Sequence, residues 1–177
     1  MDFVINGPGD KAFPTLIEAL ENGRPYELIR NLIYHNGEKI VKTAKDDLID
    51  QSTLPALPYD KLDGMYPMAN YLGKTYLGNR TLAYHSSIGC PFTCSFCAVV
   101  PIYEARWKAK PADQVYMDIR YIKEKWGADS IEFHDNNFFV SEKRTVEFSN
   151  LIKKDGMVWW GKAGSIPSIN TRTRRWR

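Results

Sequence analysis

The sequence predicts an α/β fold with a parallel sheet, and three features of residues 81–160 predict it. Residues 81–86, Thr-Leu-Ala-Tyr-His-Ser, form a short run rich in β-formers. Residues 111–126 carry Val115, Ile119, Ile122 and Trp126, a spacing that puts all four on one helix face. Residues 130–134 and 158–160 repeat the strand pattern on either side of a second helix. Strand, loop, helix, strand, helix, strand is the opening of a parallel α/β barrel.

The boundaries support each element. Pro111 suits the first turn of the first helix and Gly127 its C-terminal cap. Ser141 can cap the second helix, which runs to about Lys154 with Phe148, Leu151 and Ile152 inward and Gly156 at its end. The charges Lys123, Glu124, Lys125, Glu142, Lys143 and Arg144 read as solvated helix faces. Trp107, Trp126, Trp159 and Trp160 read as core and rim packing.

The N-terminal part is organised differently. Residues 3–6 read as a strand end, followed by Gly7-Pro-Gly-Asp10 and a helix that carries Phe13, Leu16, Ile17 and Leu20 and closes at Gly23. Residues 28–34 and 38–43 flank His35-Asn-Gly37, a hairpin signal. Residues 44–80, with Pro55, Pro58 and Pro67, read as a linker with extended segments.

Composition narrows the class. The 177 residues are 44% hydrophobic, close to ordinary globular domains, which argues against wholesale disorder. No apolar run approaches the length of a membrane span, and the first residues lack a signal-peptide pattern. A soluble cytoplasmic protein is the expectation. The net charge of +3 comes from the end: residues 161–177 hold Lys162, Arg172, Arg174, Arg175 and Arg177 and no acid. Residues 1–160 keep 19 basic and 21 acidic side chains, so the basicity marks a tail expected to be disordered and gives no argument for a nucleic-acid partner.

All three cysteines, Cys90, Cys94 and Cys97, lie in one loop, Gly89-Cys-Pro-Phe-Thr-Cys-Ser-Phe-Cys97. An odd number cannot all pair, and such a cluster reads as metal-binding before it reads as structural. Structural zinc closes a tetrahedron with four ligands, usually in two pairs, and His35, His85 and His134 stand singly. Thiolates in a compact loop suit an iron–sulfur cluster, and three of them would leave one iron of four open. Three reduced cysteines without a metal are the structural alternative. Flanking Gly89, Pro91, Thr93 and Ser95 make a loop there, not an apolar face.

The spacing C-x3-C-x2-C, with Phe96 before the third cysteine, resembles the radical S-adenosylmethionine (SAM) family. The resemblance implies that Cys90, Cys94 and Cys97 hold a 4Fe–4S cluster whose open iron is chelated by SAM. It implies SAM cleavage to a 5′-deoxyadenosyl radical, or support of cobalamin-dependent methyl transfer, on an unknown substrate. Phe96 would lie near the adenine, and an external one-electron donor such as flavodoxin or ferredoxin would reduce the cluster. It also implies a partial (βα)6 barrel with the cysteine loop after its first strand. A non-catalytic iron–sulfur or zinc-binding module is the competing reading.

His134-Asp-Asn-Asn-Phe138, at the end of the second strand, resembles the Asp-rich turn of cobalamin-associated members, where Asp135 or Asn136 would help hold the SAM amino group. An Asx turn is the structural alternative. His134 reads as a packed or hydrogen-bonded histidine. Residues 1–43 resemble the C-terminal part of a Rossmann-like cobalamin-binding domain, although a plain tight turn also explains residues 7–10. The ligating Asp-x-His-x-x-Gly motif does not occur, so cobalamin is implied by architecture alone. The expected organisation is thus a cobalamin-domain remnant at 1–43, a linker at 44–80, the first part of a radical SAM core at 81–160 and a divergent tail at 161–177. That reads as a fragment of such an enzyme.

Overall fold

The computed structural model describes residues 2–164. The basic end from residue 165 onward lies outside the described residues. Two compact units divide at Ile49 and Asp50.

The first unit is a three-stranded sheet with one helix. β1 (Phe3–Ile5), β2 (Leu32–His35) and β3 (Ile40–Lys42) lie in that order, antiparallel throughout, with Ile5 opposite Leu32 and Tyr34 opposite both Phe3 and Val41. The expected hairpin forms, and the Asn36 side chain accepts from the amides of Glu38 and Lys39 in its turn (3.2 and 3.1 Å). Between β1 and β2 runs α1 (Ala12–Asn22), ended by Gly23 at φ 61°. Residues 24–31 then return to the end of β1 where the helix began, which is why β2 pairs antiparallel. A Rossmann-like remnant implies parallel pairing, and the described residues of this unit have none. Leu16, Ala19, Ile29, Leu32 and Tyr34 make its core.

In the second unit, β4 (Thr81–Tyr84), β7 (Ser130–Phe133) and β8 (Val158–Gly161) form a parallel sheet in that order. Register aligns Tyr84 with Phe133 and Phe133 with Gly161. The crossovers are α4 (Ala112–Trp126) and α5 (Glu142–Ile152). The caps are those the sequence predicts: Gly127 at φ 70° ends α4, and Ser141 Oγ accepts from the Arg144 amide (3.3 Å) to start α5. One face of the sheet, with Leu82, Tyr84, Ile131 and Phe133, packs on Val115, Ile119, Ile122, Phe148 and Ile152 of the helices. The other face carries Ala83, Glu132 and Trp160 side by side, and Trp160 is 41% exposed.

Two findings depart from expectation. Residues 50–80 are not a bare linker: they form α2 (Tyr59–Asp63) and two 3-10 turns, and Met68 and Leu72 enter the core of the second unit. The loop after β4 also does not run freely into α4. It is the head of an antiparallel ribbon made by β5 (Ser87–Gly89) and β6 (Trp107–Ala109).

Candidate functional site

The cysteines sit at the head of that ribbon, beyond the C-terminal end of β4. Residues there are displayed at the edge of a parallel sheet where active sites are built. Gly89, with φ 80°, turns the chain out of β5 into Cys90, a conformation that favours glycine. Cys94 and Cys97 share one turn, since the Cys97 amide donates to the Cys94 carbonyl (3.1 Å). The Val100 amide then donates to the Cys97 carbonyl (3.2 Å) and opens α3 (Val99–Tyr103). Glu104 and Ala105, both at positive φ, reverse the chain into β6. All three thiols are free of disulfides and half-buried, and Phe96 between them is 86% exposed.

Three unpaired thiols on one loop form the soft donor set that iron–sulfur clusters take. Among the described residues no three Cys, His, Asp or Glu side chains converge as a single bound ion would require.

Asp135 follows β7 and is fully buried. Its carboxylate accepts from the Ser86 amide (2.6 Å), the Ser86 hydroxyl (2.5 Å) and the Ser87 amide (3.1 Å), so both oxygens are engaged. Asn136 is exposed. The Asx geometry falls one residue later, where the Asn137 side chain accepts from the Phe139 amide (3.1 Å). His134 is exposed, with Nε2 3.4 Å from the Glu132 carboxylate and its ring 5.9 Å from that of His85. These two imidazoles stand beyond the ends of adjacent parallel strands.

Several residues at this end carry more than their sequence positions suggested. Arg144, read as part of a solvated face, is only 8% exposed. Its Nη2 donates to the carbonyl and hydroxyl of Ser86 (3.2 and 2.6 Å), and its Nε donates to the Lys110 carbonyl (2.8 Å). Its guanidinium lies 5.0 Å from the centre of the Phe138 ring. Burial pulls its pKa below the ordinary arginine value, and the charge of Asp135 works against that shift. The available signal was its place four residues before Phe148 and eight before Ile152, on the inward face of α5. Beside it, Lys110 Nζ donates to Asp118 (2.8 Å) and to the Tyr84 hydroxyl (2.9 Å), while Tyr84 donates to Asp118 (2.5 Å). Burial, then the hydrogen bond to Asp118, drives the Tyr84 pKa up. A cleft of about 960 Å³ is lined by Lys108, Arg144 and Glu147 but by none of the three cysteines.

No family model matches the chain. An uncharacterized methyltransferase of Pyrococcus horikoshii, PH0819, is 28% identical over 99% of this chain and 37% of its own length. The fold is similar to that of OxsB, a cobalamin-dependent S-adenosylmethionine radical enzyme solved with aqua-cobalamin and SAM bound. That match has a TM-score of 0.65 and 14% identity, and covers 86% of this chain and 21% of OxsB. It is also similar to TsrM of Kitasatospora setae, a radical SAM methyltransferase solved with cobalamin and a [4Fe–4S] cluster. There the TM-score is 0.55 and the identity 18%, over 86% of this chain and 29% of TsrM. The chain therefore spans little more than a third of the curated relative and less of the solved ones. Among the described residues, no helix is long and apolar enough to cross a membrane.

Proposed function

We propose that this chain is the cluster-bearing part of a cobalamin-associated radical SAM enzyme acting on an unidentified substrate. One observation carries the reading: three unpaired thiols share a loop placed beyond the C-terminal end of the first parallel strand. Cys90, Cys94 and Cys97 would ligate a 4Fe–4S cluster as thiolates, so loading releases protons. When bound, the cluster and SAM would supply radical or methyl-transfer chemistry, which is the cofactors' own. The chain's part is to place and shield them. Phe96, exposed between two of the ligands, offers its ring to the adenine. Of the two residues considered for the SAM amino group, Asn136 is exposed, whereas Asp135 already spends both oxygens on Ser86 and Ser87. The open face with Glu132, His134 and Trp160 is the side offered to substrate. Cobalamin is assigned to no residue of this chain.

Anaerobic reconstitution with iron and sulfide tests the reading, followed by electron paramagnetic resonance (EPR) with and without SAM. The expected result is a 4Fe–4S signal that SAM changes and that Cys94→Ala abolishes. A signal indifferent to SAM would sink SAM chelation. Stoichiometric zinc without iron uptake would sink the cluster.

A further inference from the structure

The cysteine loop leaves the fold through two chain segments only, Ser86–Ser87 on the way out and Lys110 on the way back. Two groups hold them, one gripping the outgoing segment and the other spanning both. From β7, the Asp135 carboxylate takes the amide and hydroxyl of Ser86 and the amide of Ser87 (2.6, 2.5 and 3.1 Å). From α5, the Arg144 guanidinium spans the gap, with Nη2 on the Ser86 carbonyl and hydroxyl and Nε on the Lys110 carbonyl. The Lys110 amide closes the ring on the Ser86 carbonyl (2.9 Å). Ser86, 1% exposed, therefore bonds through every polar atom it has, four residues before the first thiol. Inside a low-dielectric interior such charge-assisted bonds are strong and directional. The ribbon is short, with three residues in each strand, and joins neither three-stranded sheet, so its stability depends on what surrounds it.

We propose that Arg144 and Asp135 are the positioning residues of the cluster loop: together they clamp both of its ends at Ser86 and Lys110, so that α5 and β7 set where Cys90, Cys94 and Cys97 stand. The proposal rests on the cluster reading above for its consequence, though not for its geometry. Neither residue touches the cluster in this scheme. The planar fork of arginine reaches two segments at once, which a lysine ammonium at the same place cannot do. Asparagine at 135 would turn one acceptor into a donor facing Ser86, which already presents donors there.

The test uses the full chain as parent, Arg144→Lys, Asp135→Asn, and Phe148→Leu as a control that weakens the core on the same helix without entering the clamp. Two readouts are taken. In the metal-free protein, amide exchange over residues 87–109 rises about tenfold in Arg144→Lys and Asp135→Asn, the loss of roughly one charge-assisted hydrogen bond. In Phe148→Leu the added exchange lies in α5 and the sheet instead. In the reconstituted, reduced protein, Arg144→Lys shows altered g-values or more than one EPR species at parental iron content, while Phe148→Leu keeps the parental line shape. The proposal is overturned if both clamp variants reproduce the exchange pattern of Phe148→Leu. It is equally overturned if Arg144→Lys gives the parental EPR spectrum. Should the parent load no cluster at all, the functional reading fails, and exchange over residues 87–109 still decides the clamp.

Discussion

Asp135 and Asn136 are neighbours of similar size, and their surroundings give them opposite tasks. A fully buried carboxylate with three donors on it stabilises structure; an exposed amide is available to a ligand. Asn136→Ala is expected to leave iron uptake unchanged and to weaken the SAM-induced EPR change severalfold, as read by titration with SAM. Asp135→Ala removes the acceptor from three buried donors, a loss on the order of 2–3 kcal/mol in chemical denaturation. A loss below about 1 kcal/mol would mean that the Ser86 hydrogen bonds are replaced at little cost. The cysteines were legible because three thiols within eight residues have few explanations. Arg144 was not, because a charge in an amphipathic helix is usually solvated. Its partners are a serine and a carbonyl that lie 58 and 34 residues away, so no local pattern announces them.

Elements with strong local signals stand where the sequence puts them. α4 and α5 combine a 3.6-residue apolar period with identifiable caps, and both signals survive folding. The ribbon β5–β6 was missed because Ser-Ile-Gly and Trp-Lys-Ala are too short to show alternation and are 17 residues apart in sequence. Antiparallel pairing in the first unit was equally invisible, since a hairpin signal fixes two strands and says nothing about β1. The cap of α5 carries an extra load, because Ser141 Oγ binds the amide of Arg144 itself. Ser141→Ala should therefore cost about 1 kcal/mol of stability, as an ordinary N-cap does. It should also raise exchange over residues 87–109, because fraying the first turn of α5 loosens the guanidinium that holds them. Loss of stability without that added exchange would show that the helix start and the loop are independent.

At the scale of the whole molecule, residues 50–80 decide what the second unit is. They read as a linker because proline breaks periodicity, yet Met68 and Leu72 are buried in its core and the Tyr59 ring meets Trp126 edge-on at 6.1 Å. Leu72→Ala should destabilise the second unit by about 2–5 kcal/mol, the range for a buried leucine. Residues 1–49 hold no tryptophan, and Trp107, Trp126, Trp159 and Trp160 lie in the second unit, so a change in tryptophan fluorescence on unfolding reports that unit and not the first. Amide exchange in residues 2–49 should stay unchanged; an equal rise there would deny the division at Ile49. The same segment makes the unit sensitive to alkali. Burial, with a smaller push from the Asp118 charge, raises the Tyr59 pKa from 10.0 to about 12. The folded state thus holds the phenolic proton more tightly than the unfolded chain. Its contribution to stability is full below pH 10 and is lost as pH rises toward about 12. Tyr84 is shifted the same way, so Tyr59→Phe should lessen the alkaline loss without abolishing it. Denaturation midpoints followed by tryptophan fluorescence between pH 9 and 12 measure the difference. Parallel pH profiles for parent and Tyr59→Phe would mean that residues 50–80 detach before the phenol ionises.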